Sequence, residues 1–293
     1  MSFLKHLFEK IVSFEPIPIR LFQLNPAFSL NVTNRYYAIL ILVILSIIAG
    51  TVISHLMGET AVKLYGNLAY LPVSALFVGV AFWSIRHFGI DGSHGIAWLS
   101  FAGFAMMWSV AGVIWIVYDL VLGTDPFPSP ADLFYLMGYP FLFLSLVSYL
   151  IPFKEAISRS LVIIAVSLSV AYLILTALFQ TVVSDGPGLG LEALESFEAL
   201  FSVAYPVADG IILIPIILGI GLFLRDDNRV KPMWALIFLG VLSSLVGDLS
   251  FMLLETTGQY YTGHPVEILF LASYVLMAFG IYGYGKRKIM QKL

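Results

Sequence analysis

Apolar residues along this chain do not recur in the stripe of a water-soluble amphipathic helix. They run on for about 20 residues at a time and are then interrupted by short polar stretches rich in proline and glycine. Eight such runs can be marked, at 36–57, 65–86, 95–122, 130–152, 158–182, 195–224, 232–257 and 264–285. Each is long enough to cross about 30 Å of hydrocarbon as a helix. Helix is the expected form, because a backbone in lipid must satisfy its polar groups within the segment. The pattern predicts an all-α polytopic membrane protein with a transmembrane domain over 36–285. An N-terminal segment, 1–35, precedes it, and a basic tail, 286–293, follows.

Composition agrees. Of 293 residues, 60% are hydrophobic and 11% charged, against about 25% charged in a soluble domain. The charges that remain are sorted by side. Lys5, Lys10, Arg20 and Arg35 precede the first span, and Arg86 follows the second. Lys154 and Arg159 follow the fourth, and Arg225, Arg229 and Lys231 the sixth. Lys286, Arg287, Lys288 and Lys292 make up the tail. Only Lys63, of 15 basic residues, falls on the other side. The positive-inside rule then predicts cytoplasmic termini and a multi-pass protein of the cell membrane. Residues 2–14 place Phe3, Leu4, Leu7, Phe8, Ile11 and Val12 at helical spacing opposite Lys5, Glu9 and Lys10. They predict a helix lying on the cytoplasmic leaflet or packed on the bundle.

Three spans that enter from the outer side start alike. Residues 132–140 read DLFYLMGYP, 198–206 EALFSVAYP and 267–275 EILFLASYV. Each has an acid, then an aromatic three residues on (Tyr135, Phe201, Phe270). A small residue (Gly138, Ala204, Ser273) is followed by a tyrosine at the seventh step (Tyr139, Tyr205, Tyr274). Positions i, i+3 and i+7 share one helix face, so each span is expected to carry an acid–aromatic–tyrosine column. The small residue allows close helix approach. Span 2 is a degenerate copy around Lys63, Gly66, Ala69 and Tyr70, so four two-helix repeats are expected.

The acids are the candidate chemistry. Asp132 follows Ser129 and Pro130, as in a helix cap, and Glu198 and Glu267 also read as first-turn acids. Asp209 and Asp248 fall well inside their spans, where an acid usually faces the bundle interior. Asp119 closes the third span and His55 the first. Asp119, Asp132, Glu198, Asp209, Asp248 and Glu267, with Tyr139, Tyr205, Tyr274 and His55, are therefore expected to line an outward-opening acidic and aromatic pocket. A cation, an amine headgroup or a proton fits such a lining. Membrane lipids and a signalling partner chain are the other expected partners; nucleic acid is not.

Other chemistries find little footing. The chain has no cysteine, which removes thiolate nucleophiles and thiolate metal sites. No lysine lies within a predicted span, as a retinal Schiff base requires. Only His55 is expected inside the membrane, with His264 at the mouth of the last span, which does not suit a bis-histidine haem, and no dense metal-ligand motif occurs. GPGLG at 186–190 lacks a following lysine and reads as a turn. No cofactor is expected.

Residues 128–132 (PSPAD), with Tyr135, Leu136 and GYP at 138–140, resemble a multi-span module at the N-terminus of bacterial diguanylate cyclases and histidine kinases. AYPVAD at 204–209 and GDLSF at 247–251 extend the likeness. The resemblance implies a sensory or ligand-binding membrane module, here without an output domain after the last span. Residues 240–254, with the helix from Glu267, more weakly resemble the lysoplasmalogenase family. That likeness implies acid–base hydrolysis of a lipid-like substrate, which needs paired carboxyl groups. A small-solute or proton-coupled transporter is the third expectation, and helices broken at Pro140 and Pro206 are its mark.

Overall fold

The computed structural model describes residues 26–183, 197–225 and 232–290. Side chains are described for 35–182, 200–224 and 234–284. The expected N-terminal interfacial helix, the 186–190 turn and the last three residues of the basic tail lie outside the described residues. Among those described, the secondary structure is helical and no strand occurs.

The helices are α1 (Pro26–Met57), α2 (Glu59–Leu68), α3 (Tyr70–Phe88), α4 (Gly92–Ile116), α5 (Pro130–Leu150), α6 (Arg159–Val183), α7 (Phe197–Arg225), α8 (Pro232–Thr256) and α9 (Glu267–Met290). A π-helical turn, Val117–Leu122, continues α4, and a 3-10 turn, Ile151–Ala156, continues α5. With α2 and α3 taken together, eight helices are long and apolar enough to span a membrane. The chain is therefore a multi-pass, all-α protein, as the apolar runs predict.

Two boundaries differ in ways that matter. The second span begins at Glu59 and not at 65, so Lys63 lies within it. The same span is interrupted at Ala69, one turn before Pro72. Proline there has no N–H for the carbonyl of Leu68, and its ring crowds that turn. By contrast, α5 runs unbroken through Pro140, and α7 through Pro206 and Pro215. The broken helices expected of a transporter are absent at these positions.

Six helices close a ring: α3 packs on α4, α4 on α5, α5 on α7, α7 on α8, α8 on α9, and α9 returns to α3. Helices α1 and α6 stand outside, against α9 and α7 respectively. Their outer faces carry Ile41, Leu42, Leu45, Ile163, Ile174 and Leu175, all more than half exposed. On a soluble protein this would be a large sticky surface; in hydrocarbon it is the expected lipid face.

The half of the ring away from the 123–129 and 257–266 connections is a dry aromatic core. Trp98, Phe101, Trp234 and Phe238 are fully buried. Tyr149 stacks on Trp234 at 3.3 Å between ring centroids, and Trp98 lies 5.3 Å from the same indole. Phe77, Phe104 and Trp108 continue this core toward the ring centre. Close approach here needs small residues. A Cβ at Gly138 would meet the Trp108 ring at 2.5 Å, so α5 can lie against α4 only with glycine at that position.

Candidate functional site

The opposite half of the ring, toward the 123–129 and 257–266 connections, holds the buried acids. Its base is a three-residue contact. The Tyr139 hydroxyl on α5 lies 2.7 Å from Oδ1 of Asp209 on α7 and 3.2 Å from Oδ2 of Asp248 on α8. Tyr172, from the outer helix α6, donates to the second oxygen of Asp209 at 3.0 Å. Asp209 is 1% exposed, so both its oxygens are held by phenols. These are the partners that a buried acid without a neighbouring cation needs.

One turn closer to the connections, Tyr205 of α7 donates to Oδ1 of Asp132 on α5 at 2.8 Å. The other oxygen of Asp132 accepts the backbone N–H of Ser129 at 2.8 Å, completing a capping box in which the Ser129 hydroxyl returns to the helix. Asp132 thus does both things its position allows: it caps α5 and ties α5 to α7. Helices α5 and α7 exchange phenols and carboxyls, Tyr139 to Asp209 and Tyr205 to Asp132. Their two rings meet edge-on at 6.3 Å.

Spacing puts an acid and a tyrosine on one face of one helix, and the hydrogen bonds of these columns run between helices. Over seven residues the chain rises about 10 Å, too far for a side chain to bond back along its own helix. The neighbouring helix brings its acid level with the tyrosine instead.

Glu267, the first residue of α9, is 5% exposed. Its Oε1 accepts from the Gly263 N–H at 2.7 Å and from Tyr260 at 3.0 Å. The 257–266 connection thus folds down over the ring, and burial beside Glu267 pushes the Tyr260 phenol well above its ordinary range. Tyr135 sits among these groups. Asp132, Asp248 and Glu267 are all close enough to act on its hydroxyl electrostatically. Tyr274 is 3% exposed, stacks on Phe77 at 5.1 Å, and makes no hydrogen bond among the described residues. Its hydroxyl lies within electrostatic reach of Tyr135 and Asp248. Tyr70 lies edge-on to Tyr274 at 6.3 Å. Asp248, Tyr70, Tyr135 and Tyr205 retain partial exposure despite these neighbours, so open space adjoins them.

Asp119 and His55 have partners of their own. Asp119, on the π turn, is neutralised: Lys63 Nζ lies 2.8 Å from one oxygen, and Asn67 donates to the other at 2.6 Å. Asp119 and Lys63 therefore form a strap between the second and third spans. His55 hydrogen-bonds Thr51 within α1 and reaches the Tyr261 hydroxyl at 3.2 Å, at the edge of the bundle. It is paired there with a loop tyrosine and not with the acids. Glu198 falls in the first turn of α7, and its side chain lies outside the described residues. No group of three or more His, Asp or Glu among the described residues could hold a metal ion.

Sequence reasoning missed Tyr172, Asn67 and Tyr260. Tyr172 carried a usable signal as a phenol in the middle of the apolar run SVAYLIL; buried phenols seek partners. Nothing local marks Tyr260 as a partner of Glu267, because the turn between them decides it.

No protein-family model, no curated protein and no solved structure matches the chain. Neither motif resemblance gains support from these comparisons, and the functional reading rests on the geometry.

Proposed function

We propose that this chain is a ligand-binding, sensor-like module of the cell membrane, with both termini cytoplasmic and an acidic, aromatic chamber open to the outer side. The charge asymmetry of the connections supports the orientation. The observation that carries the reading is the Tyr139 hydroxyl held between Asp209 and Asp248. Around it, Asp132, Glu267, Tyr135, Tyr205 and Tyr274 project from three ring helices above the aromatic core of Trp98, Phe101 and Trp234. Such a lining suits a small cationic or amine ligand: carboxylates supply charge and tyrosine faces supply cation–π attraction. The matching starts of α5, α7 and α9 fit an origin in repeated hairpins, and output passes to a partner chain.

The experiment is native mass spectrometry on gently extracted protein. The expected result is a small-molecule adduct that Asp248→Asn abolishes. Protein with no adduct in either form, at every extraction condition, rejects the reading. The two carboxyls on one phenol also favour a second reading, acid–base hydrolysis of a lipid-like substrate. Turnover of a vinyl-ether lysolipid that is lost in both Asp209→Asn and Asp248→Asn would decide for it.

A further inference from the structure

The Tyr139 hydroxyl has one hydrogen and two carboxyl neighbours. A neutral phenol donates once and accepts through its lone pairs. Asp209 takes the hydrogen at the shorter distance, 2.7 Å, and accepts a second from Tyr172 at 3.0 Å. The 3.2 Å contact to Asp248 then contains a hydrogen only if Asp248 supplies it. The titratable groups within electrostatic reach of Asp248 are Tyr135 and Tyr139 on α5, Tyr172 on α6, Asp209 and Tyr205 on α7, and Tyr274 on α9. None is a cation, and Lys63 is engaged by Asp119. Two bare carboxylates on one phenol oxygen would leave a charge uncompensated in a low-dielectric interior.

Two further groups are left open beside Asp248. The Tyr274 hydroxyl, on a side chain 3% exposed, makes no hydrogen bond among the described residues and lies within electrostatic reach of Asp248. Ser244 lies one turn along α8 on the same face, is 3% exposed, and its Oγ has no partner among the described residues. Buried polar atoms are rarely left unmatched unless something else occupies the place. Asp248 itself is only half-buried, so open space adjoins its side chain.

We infer that Asp248 is a protonated acid that donates to Tyr139, and that a small monovalent cation of the ammonium type binds beside it in exchange for that proton. The inference rests on the chamber reading above and adds its charge rule. On binding, the Asp248 O–H bond breaks and the proton leaves to water. The carboxylate so formed faces the cation, with the Tyr274 and Ser244 oxygens as acceptors for its N–H groups. Tyr139 keeps its hydrogen bond to Asp209, so one charge enters as one leaves.

Infrared spectroscopy of the ligand-free protein tests the proton directly. A carboxylic-acid carbonyl band is expected that Asp248→Asn removes and Asp132→Asn leaves. Tyr139→Phe should shift that band, because the acid loses its acceptor; this variant serves where Asp248→Asn does not fold. Calorimetric titration with methylammonium chloride, in two buffers of different ionisation heat, should show about one proton released per cation bound. Sodium chloride is the second arm, and release with sodium but not methylammonium reassigns the cation to an inorganic ion within the same exchange. An acid band unchanged by both variants, or no proton release with either salt, overturns the inference. A persistent adduct in native mass spectrometry would then still uphold the chamber reading, so the two fail separately.

Discussion

Tyr205 donates its hydroxyl to Asp132 at 2.8 Å across the α5–α7 interface, while Tyr139 makes the reverse connection to Asp209 at 2.7 Å. Two helices joined by reciprocal phenol–carboxyl bonds are fixed in register, because a slide of one turn breaks both at once. The pairing should be measurable by a double-mutant cycle on Tyr205→Phe and Asp132→Asn, read as unfolding in mixed micelles. A coupling of about 0.6–1.7 kcal/mol is expected, the range for hydrogen bonds between transmembrane helices. Additive single effects would mean the contact contributes nothing.

The strap of Lys63 and Asp119 should act as a unit. Lys63 is 46% exposed and Asp119 10%, so solvent and salt weaken the pair. Lys63→Met leaves Asp119 with only Asn67 and should cost about 1 kcal/mol or less of stability. Adding Asp119→Asn should recover most of that, because the uncompensated charge is gone. Thermal unfolding of the three variants at low and high salt checks both effects; an unrescued double variant would contradict them.

Gly263 has φ +89° and sits where its backbone N–H reaches Glu267. Alanine there is strained in the left-handed region, and any added Cβ also crowds Val62. Gly263→Ala should lower stability by about 1–2 kcal/mol. It should also loosen the connection over the ring, seen as faster amide exchange at residues 258–266. Unchanged exchange would show that Glu267 does not hold this turn.

His264 lies outside the spans. Burial first, and the nearby His55 second, hold its imidazole below the ordinary value of 6.5. Its Nδ1 accepts the Val266 N–H at 3.1 Å, a role that only the neutral ring can fill. The unfolded chain therefore takes up the proton first. The stability contributed by His264 is complete above pH 6.5 and is lost as pH falls below it. Melting curves between pH 7.5 and 5 should fall for the wild type and fall less for His264→Asn. Parallel curves would assign the acid sensitivity to other groups.

The class of the protein was legible from the first pass along the chain. Runs of about 20 apolar residues admit one solution in hydrocarbon, a helix that satisfies its own backbone. The acids at 132, 209, 248 and 267 could likewise be singled out, because each falls inside or at the mouth of such a run. The Asp132 cap was readable too, since Ser129, Pro130 and Asp132 are neighbours in the chain and a cap is a local device.

What the sequence could not contain was which helix faces which. Tyr139 lies seven residues from Asp132 but bonds Asp209 and Asp248, 70 and 109 residues away. Asp119, equal to the other acids in the sequence, is paired with Lys63. His55 is carried to the edge of the bundle by the position of α1 outside the ring. Periodicity fixes the face on which a side chain lies, because 3.6 residues make a turn wherever the helix sits. The partner of that face depends on how helices cross and rotate against one another. Packing around Gly138, Trp108 and the aromatic core decides that, and only the folded chain brings those residues together.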